Sequence, residues 1–267
     1  MELQSNLEKI RAEGLGVAAI SYDSVAVLKS FADRRGITFP LLSDADSKII
    51  RAFGIFNDQS QEGTMQYGIP YPGTYLVDRA GRVTAKYFED DYTQRFTSAD
   101  ILVSRFGESA GAAHGTVEAK HLRVSASASN ARVRSGQRIS LVLDVQLAPG
   151  LHVYAPGVKS DYIAIDWSIK ESTALVVRPA SYPTPKLLHL AAINETAPVY
   201  EGAFRVVREV TIGRVPAGPL EVEGAFRYQA CDEKLCYPPE TVPVRWRIEV
   251  ESHDRERAPA ELQKKAK

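Results

Sequence analysis

LEVEGAFRYQAC, residues 220–231, and ETVPVRWRIEVE, residues 240–251, read as two strands joined by the short stretch DEKLCYPP, residues 232–239. Apolar and polar side chains alternate through them, the period-two pattern of a strand with one face buried. The same pattern recurs upstream in LRVSASASNARVRSG, RISLVLDVQLAPG, LHVYAPG, AIDWSIK, LVVRPASYP and FRVVREVTIG, with turn residues between the runs. From about His121 to residue 252 this predicts an antiparallel β-sandwich. Trp167 and Trp246 fall in strand-like segments and are expected in its core.

The chain has only two cysteines, Cys231 and Cys236. Cys231 ends the strand containing FRYQA, and Cys236 opens the next stretch, before Pro238 and Pro239. The loop from Asp232 to Leu235 can bring the two sulfurs together across a hairpin end. One short-spaced pair reads as a redox pair, half of a metal site or a local staple. Closing so short a loop stabilises by about 2 kcal/mol on the chain-entropy account, against about 4.7 kcal/mol for a loop of about 100 residues. That weak return favours redox cycling over a staple. Zinc would need two further ligands, and none of the five histidines has ligand spacing to the pair. Lys234 would help a thiolate, whereas Asp232 and Glu233 oppose it.

Before residue 107 helices and strands alternate. Glu2–Glu13 is expected as an amphipathic helix, 16–21 as a buried strand, and 24–35 as a helix capped at Asp23 or Ser24 and stopped by Gly36. Residues 37–44 read as a strand and turn, 46–53 as a short helix, 74–88 as a hairpin and 97–105 as a closing helix. GESAGAAHGTVEAK, residues 107–120, is small and Gly/Ala-rich and reads as a linker. The tail from His253, HDRERAPAELQKKAK, is charged and expected to be frayed.

The length, 267 residues, suits two domains. Lys plus Arg equals Asp plus Glu at 33 each, so there is no electrostatic footprint for nucleic acid. No apolar run approaches the roughly 20 residues of a membrane helix, and direct membrane insertion is not expected. No secretory signal is visible at the start.

The run ISYDSVAVLKSFADRRGITFPLLSDADSKIIRAFGI, followed by IPYPGTYLVDRAGRV, resembles the redoxin branch of the thioredoxin fold, the AhpC/TSA peroxiredoxin-like family. The resemblance implies a thioredoxin-like α/β domain over 1–106. It also implies a cis proline before the TYLVD strand, by position Pro72, shaping a partner-binding surface. The family's reactive cysteine sits at the N-terminus of the first long helix, where the helix dipole and free N–H groups stabilise a thiolate. This chain begins within that helix, and no cysteine occurs in 1–230. Two expectations stand: a true start upstream that restores a signal peptide, first strand and cysteine motif, or a cysteine-free domain kept for docking.

YQACDEKLCYPPE, residues 228–240, with GLHVYAPG and VYEG, resembles the N-terminal domain of thiol:disulfide interchange protein DsbD. This resemblance covers about 120–250. It implies an immunoglobulin-like sandwich and electron relay by disulfide exchange with thiol/disulfide proteins, including a membrane electron donor. It implies a periplasmic or cell-envelope location. It makes Cys236 the attacking thiol and Cys231 the resolving one. A cap loop within Lys186–Thr196 and aromatic residues would shield the pair, with Tyr154, Tyr200 and Ile193 as candidates. Ala191, Ala192 and Ile193 replace an acidic pair and a phenylalanine of the family, which removes carboxylate-assisted proton transfer there.

The sequence therefore predicts an α/β domain, truncated and thioredoxin-like, over 1–106. A linker over 107–120, an all-β sandwich over 121–252 and a charged tail over 253–267 follow. The expected function is thiol–disulfide oxidoreductase of redoxin, antioxidant-like ancestry, without cofactor, metal or nucleic acid. The alternative is a non-enzymatic envelope binding or scaffold module with a structural disulfide.

Overall fold

The computed structural model describes residues 2–57, 61, 62, 64, 67, 69–89, 91, 93–108, 111–159, 162–190, 194–254, 256 and 259–262. The chain divides into two compact units, residues 1–102 with 253–267, and residues 103–252.

The first unit contains α1 (Glu2–Ser5), α2 (Leu7–Ala12), β1 (Ala19–Ser21), α3 (Val25–Arg35), β2 (Leu41–Ser43), α4 (Lys48–Ala52), β3 (Gly73–Val77), β4 (Val83–Phe88), β5 (Arg95–Phe96) and the start of α5 (Ser98–Phe106). The helix expected over 2–13 is broken at Asn6. The Asn6 amide donates to the Glu2 carbonyl at 3.1 Å and to Glu2 Oε1 at 2.8 Å. A short amide that bonds the local backbone competes with the helical ladder. α3 begins where expected: Ser24 Oγ accepts from the Val27 N–H at 3.4 Å, and Gly36 closes the helix at φ 60°. This helix is the crossover that lets β1 and β2 pair in parallel, from Ala19↔Leu41 to Ser21↔Ser43. β3 and β4 form the expected hairpin, its turn held by Asp78 Oδ1 accepting from the Ala80 and Arg82 N–H groups at 2.9 Å each. Among the described residues these two pairs are separate two-stranded sheets.

Two expectations for this unit are corrected. The Tyr71–Pro72 peptide is trans, since no cis bond occurs among the described residues. Pro70 bridges Phe56 and the Tyr71 N–H donates to the Ile55 carbonyl at 2.8 Å, so the chain enters β3 already extended. Trans is the form favoured before proline, by about 0.5–1 kcal/mol. The tail is not free along its length: Glu256 pairs with Arg34 at 2.7 Å, and Asp254 with Arg35 at 2.5 Å.

The second unit is all-β. Its strands are β6 (Ala112–Glu118), β7 (Leu122–Ala128), β8 (Arg132–Val133), β9 (Gln137–Leu147), β10 (His152–Tyr154), β11 (Asp166–Ile169), β12 (Leu175–Ser181), β13 (Lys186–Leu190), β14 (Glu195–Glu201), β15 (Ala203–Ile212), β16 (Gly218–Tyr228), β17 (Ala230–Cys231) and β18 (Glu240–Val250). Within this unit they form three sheets, ordered β12-β15-β9-β7-β6, β11-β16-β18-β8 and β13-β14-β10-β17. Much of the expected linker is β6, paired with β7 from Ala112↔Ala128 to Glu118↔Arg123. A backbone ladder needs no large side chains, so a Gly/Ala-rich edge strand resembles a linker in composition alone.

All three sheets contribute to one core. Along β18 the side chains of Val242, Val244, Trp246, Ile248 and Val250 are buried, and those between them are not. Trp167 and Trp246 are fully buried and stack with centroids 5.6 Å apart. Trp246 Nε1 donates to the Ser127 carbonyl at 2.8 Å, which ties two sheets together.

Gly224 lies where β16 runs beside β11 under the Trp167 ring. A Cβ there would stand 2.6 Å from the Ser168 carbonyl oxygen. In an open strand, alanine for glycine stabilises by about 0.5–1 kcal/mol. Here the close approach reverses the sign. Gly224→Ala is expected to lower the melting temperature by on the order of 2–10 °C, by overpacking. A thermal melt followed by circular dichroism checks it, and an unchanged or raised Tm contradicts the reading.

Candidate functional site

Pairing continues past β16 to the tip of the hairpin. The Tyr237 N–H donates to the Ala230 carbonyl at 2.9 Å, and the Asp232 N–H to the Leu235 carbonyl at 3.0 Å. These bonds flank Cys231 and Cys236, which face each other as a bridge without exchanging hydrogen bonds themselves. In antiparallel pairs such positions bring side chains closest. The two cysteines are joined as a disulfide, with Cα atoms 4.0 Å apart. They differ in environment: Cys231 is 1% exposed, whereas Cys236 is exposed at the loop edge.

Asp232 builds the loop. Its Oδ1 accepts from the Lys234 N–H at 2.7 Å and the Leu235 N–H at 2.9 Å, and its Oδ2 from the Tyr237 hydroxyl at 3.1 Å. Backbone N–H bonds from Lys234 and Leu235 hold the Asp232 carboxyl below its ordinary pKa. Tyr237 in turn packs at a tilt of 38° against the buried His121 ring, centroids 4.3 Å apart. Asp232 is thus committed to loop geometry.

The short strand β17 pairs with β10, His152↔Cys231 and Val153↔Ala230, and β10 pairs with β14, Val153↔Tyr200 and Tyr154↔Val199. Directly opposite residues share a face, and successive residues alternate. One face therefore presents Val153, Tyr200 and Ala230 to the main core. The other gathers Tyr154, Ala197, Val199 and Cys231, with Val158, Tyr162, Leu188 and Leu190 packed on them. The Tyr154 hydroxyl lies 3.9 Å from Cys236 Sγ. A disulfide sulfur carries no hydrogen, so the hydroxyl is the donor. Burial, then the neighbouring Tyr162 and Glu195, raise the Tyr154 pKa, which keeps that proton in place. Tyr162 stacks on Tyr154 at 4.3 Å, and its hydroxyl donates to Glu195 Oε2 at 3.1 Å.

Of the residues expected from sequence, Cys231, Cys236 and Tyr154 come together here. Tyr200 does not: it is on the opposite face, stacked on Phe204 at 4.7 Å, its hydroxyl donating to the Pro183 carbonyl at 2.8 Å. One residue of offset from Val199 is enough to turn it from shield to core. The cap segment is a hairpin of β13 and β14. Its tip residues Ala191, Ala192 and Ile193 lie outside the described residues. Pro72 belongs to the first unit, which contains no cysteine. Sequence reasoning missed Tyr162 and His152. The register could have found His152, since it falls two residues before Tyr154 in HVY, but not Tyr162, which a loop brings over.

A cysteine pair bonded across a strand end, one sulfur buried and one exposed beside a phenol, offers an incoming thiolate one accessible sulfur to attack. Residues 119–245 match the family described as thiol:disulfide interchange protein DsbD, N-terminal, and residues 1–86 match the AhpC/TSA family. The chain thus joins an AhpC/TSA-type segment to a DsbD N-terminal-type segment. Over 90 residues it is 30% identical to peroxiredoxin Bcp of Escherichia coli K12, covering 34% of this chain and 56% of that one. The chain spans about half the length of the curated relatives it matches. Solved structures similar to it include the N-terminal periplasmic domain of ScsB from Proteus mirabilis, 18% identical, covering 52% of this chain and 50% of that one, TM-score 0.37. Another is the reduced DsbD N-terminal domain of Neisseria meningitidis, also 18% identical, covering 41% and 76%, TM-score 0.28. Among the described residues no helix is long and apolar enough to cross a membrane.

The Asp232 bonds carry a pH prediction. Because its pKa is depressed in the folded loop, the order it confers is present above the ordinary aspartate value and is lost as pH falls through the depressed one. Hydrogen exchange at the Lys234 and Leu235 amides should be slow at neutral pH and speed up, beyond its intrinsic pH trend, on acidification. In Asp232→Ala it should be fast throughout. Protection that ignores both changes would show that other contacts hold the loop.

Proposed function

We propose that the chain is a thiol–disulfide exchange protein whose working pair is Cys231 and Cys236. The observation that carries this is the asymmetry of the pair: a bonded disulfide with Cys231 buried at 1% and Cys236 exposed. A partner thiolate attacks Cys236 Sγ, the bond to Cys231 breaks, and a mixed disulfide forms. A second partner thiol then resolves it, leaving both cysteines reduced and the partner oxidised. In the reverse direction Cys236 attacks and Cys231 resolves.

Several further readings belong with this one. The partners are thiol/disulfide proteins, among them a membrane electron donor, in the periplasm or cell envelope. The all-β segment, 121–252, packs its sheets as an immunoglobulin-like sandwich. The redoxin-like segment, 1–106, is a domain in its own right, with Pro72 on a docking surface. The DsbD-type family match over 119–245 supports the exchange reading, and the AhpC/TSA family match over 1–86 supports the redoxin-like segment.

Equilibration of the full chain in glutathione redox buffers, with acid trapping and mass spectrometry, tests the proposal. A reduction potential above about −300 mV is expected, and one below about −300 mV assigns the bond to structure. Single variants test the asymmetry. Free Cys236 in Cys231→Ser should form a mixed disulfide with oxidised glutathione at least about 10-fold faster than free Cys231 in Cys236→Ser, because access limits exchange. Equal rates would remove the assignment of roles.

A further inference from the structure

Breaking the Cys231–Cys236 bond leaves an electron pair on Cys231 Sγ in a buried setting. A buried thiolate is unfavourable, so the leaving sulfur needs a proton. On the family resemblance the acidic residues of the cap would be near at hand, but this chain has Ala191, Ala192 and Ile193 there. A titratable group on the same face would supply it at short range.

Titratable groups reach this face from several elements: Tyr162, donating to Glu195, covers Tyr154, and His152, Tyr154, Glu201 and Asp232 lie nearer by pairing or sequence. His152, on β10, is the direct cross-strand partner of Cys231, so the two side chains share a face. Tyr154, on the same strand, packs edge-on against the His152 ring with centroids 5.5 Å apart. Glu201, on β14, is the partner of His152 on its other side and is paired with Lys186 of β13 at 3.1 Å. Asp232, in the loop, is occupied by two backbone N–H groups and the Tyr237 hydroxyl. Tyr154 retains its proton through the physiological range. His152 is 4% exposed, and its Nε2 is buried with no hydrogen-bond partner among the described residues. A buried imidazole nitrogen left unsatisfied costs free energy. A redox or catalytic role is one physical reason for such a group.

We propose that His152 is the proton partner of Cys231 and passes a proton to the leaving sulfur. The inference rests on the exchange reading above. A partner thiolate attacks Cys236 Sγ; the new S–S bond forms as the Cys231–Cys236 bond breaks, and its electron pair moves to Cys231 Sγ. His152, taking up the proton that the partner thiol lost to solvent, shares it with Cys231 Sγ. The second partner thiol resolves the mixed disulfide and its proton goes to Cys236. Two electrons and two protons pass from the partner dithiol to the pair. In the oxidised state burial holds the His152 pKa below its ordinary value, with Glu201 and Asp232 opposing. The imidazole is then neutral until the sulfur charge appears beside it.

The test uses the full chain with dithiothreitol as reductant. For the wild type, the rate of reduction against pH, corrected for ionisation of dithiothreitol, should show an inflection from a histidine. In His152→Gln that inflection should vanish and the rate near neutral pH should fall at least about 10-fold, at the modest end of proton-transfer contributions. In Glu201→Gln the inflection should stay and move to lower pH, since a nearby negative charge is gone. An unchanged profile in His152→Gln, or loss of the inflection in Glu201→Gln alone, overturns the proposal. Should the glutamine variant fail to fold, NMR titration of the wild-type His152 ring decides. Its pKa should be higher in the reduced protein than in the oxidised one, and equal values overturn the proposal. A pair that dithiothreitol does not reduce at all fails the exchange reading as well, whereas normal reduction without dependence on His152 fails this inference alone.

Discussion

Period-two alternation across the small sheet β13-β14-β10-β17 is the constraint on which the site depends. Val153, Ala230 and Tyr200 anchor the sheet in the main core, and the residues next to them in sequence necessarily face away. Cys231, Tyr154 and Val199 thereby share a face fixed by the packing of the other. A slip of one residue in any of these pairings would put a sulfur in the core and a core valine at the site. Register is specified here by apolar burial on one side, so the sulfur environment is set by residues that never touch it.

The exposed side of the pair is built differently. It depends on one carboxylate, Asp232, that satisfies two loop N–H groups and one phenol. Tyr237 carries that order back to His121 through a tilted ring contact. The buried sulfur is thus held by strand pairing and apolar contact, and the exposed sulfur by a short polar turn. Polar turns open at lower free energy than packed strands. The two cysteines of one disulfide therefore sit in surroundings of unequal stability.

Much of this was legible in the sequence, for physical reasons that differ by element. Strict alternation made β18 readable, and the cysteine spacing across a strand end made the bridge readable. β6 was not, because its Gly/Ala composition carries no face signal and only β7 reveals it as an edge. The break in the first helix depends on an Asn6 side chain that reaches Glu2 and Ser98, the latter far along the chain. Tyr200 was assigned to the wrong side because the motif PVYEG fixes a strand but not which of two adjacent residues meets the core. Tyr162 came from a loop, where sequence spacing says nothing about what lies above a strand.

Unequal burial also bears on whether the bond can open without loss of the fold. The bridge closes a loop of only four intervening residues, so on the chain-entropy account its removal costs about 2 kcal/mol. Against this, Trp167, Trp246, Phe226 and Ile248 are fully buried in the same unit. Each side chain of this kind contributes about 1.5–3 kcal/mol or more on burial. Backbone pairing with β10 through Ala230 and Cys231 does not itself use the sulfur bond. What reduction must overcome locally is the burial of a new thiol or thiolate at Cys231, and that cost falls on the His152 and Tyr154 face rather than on the core.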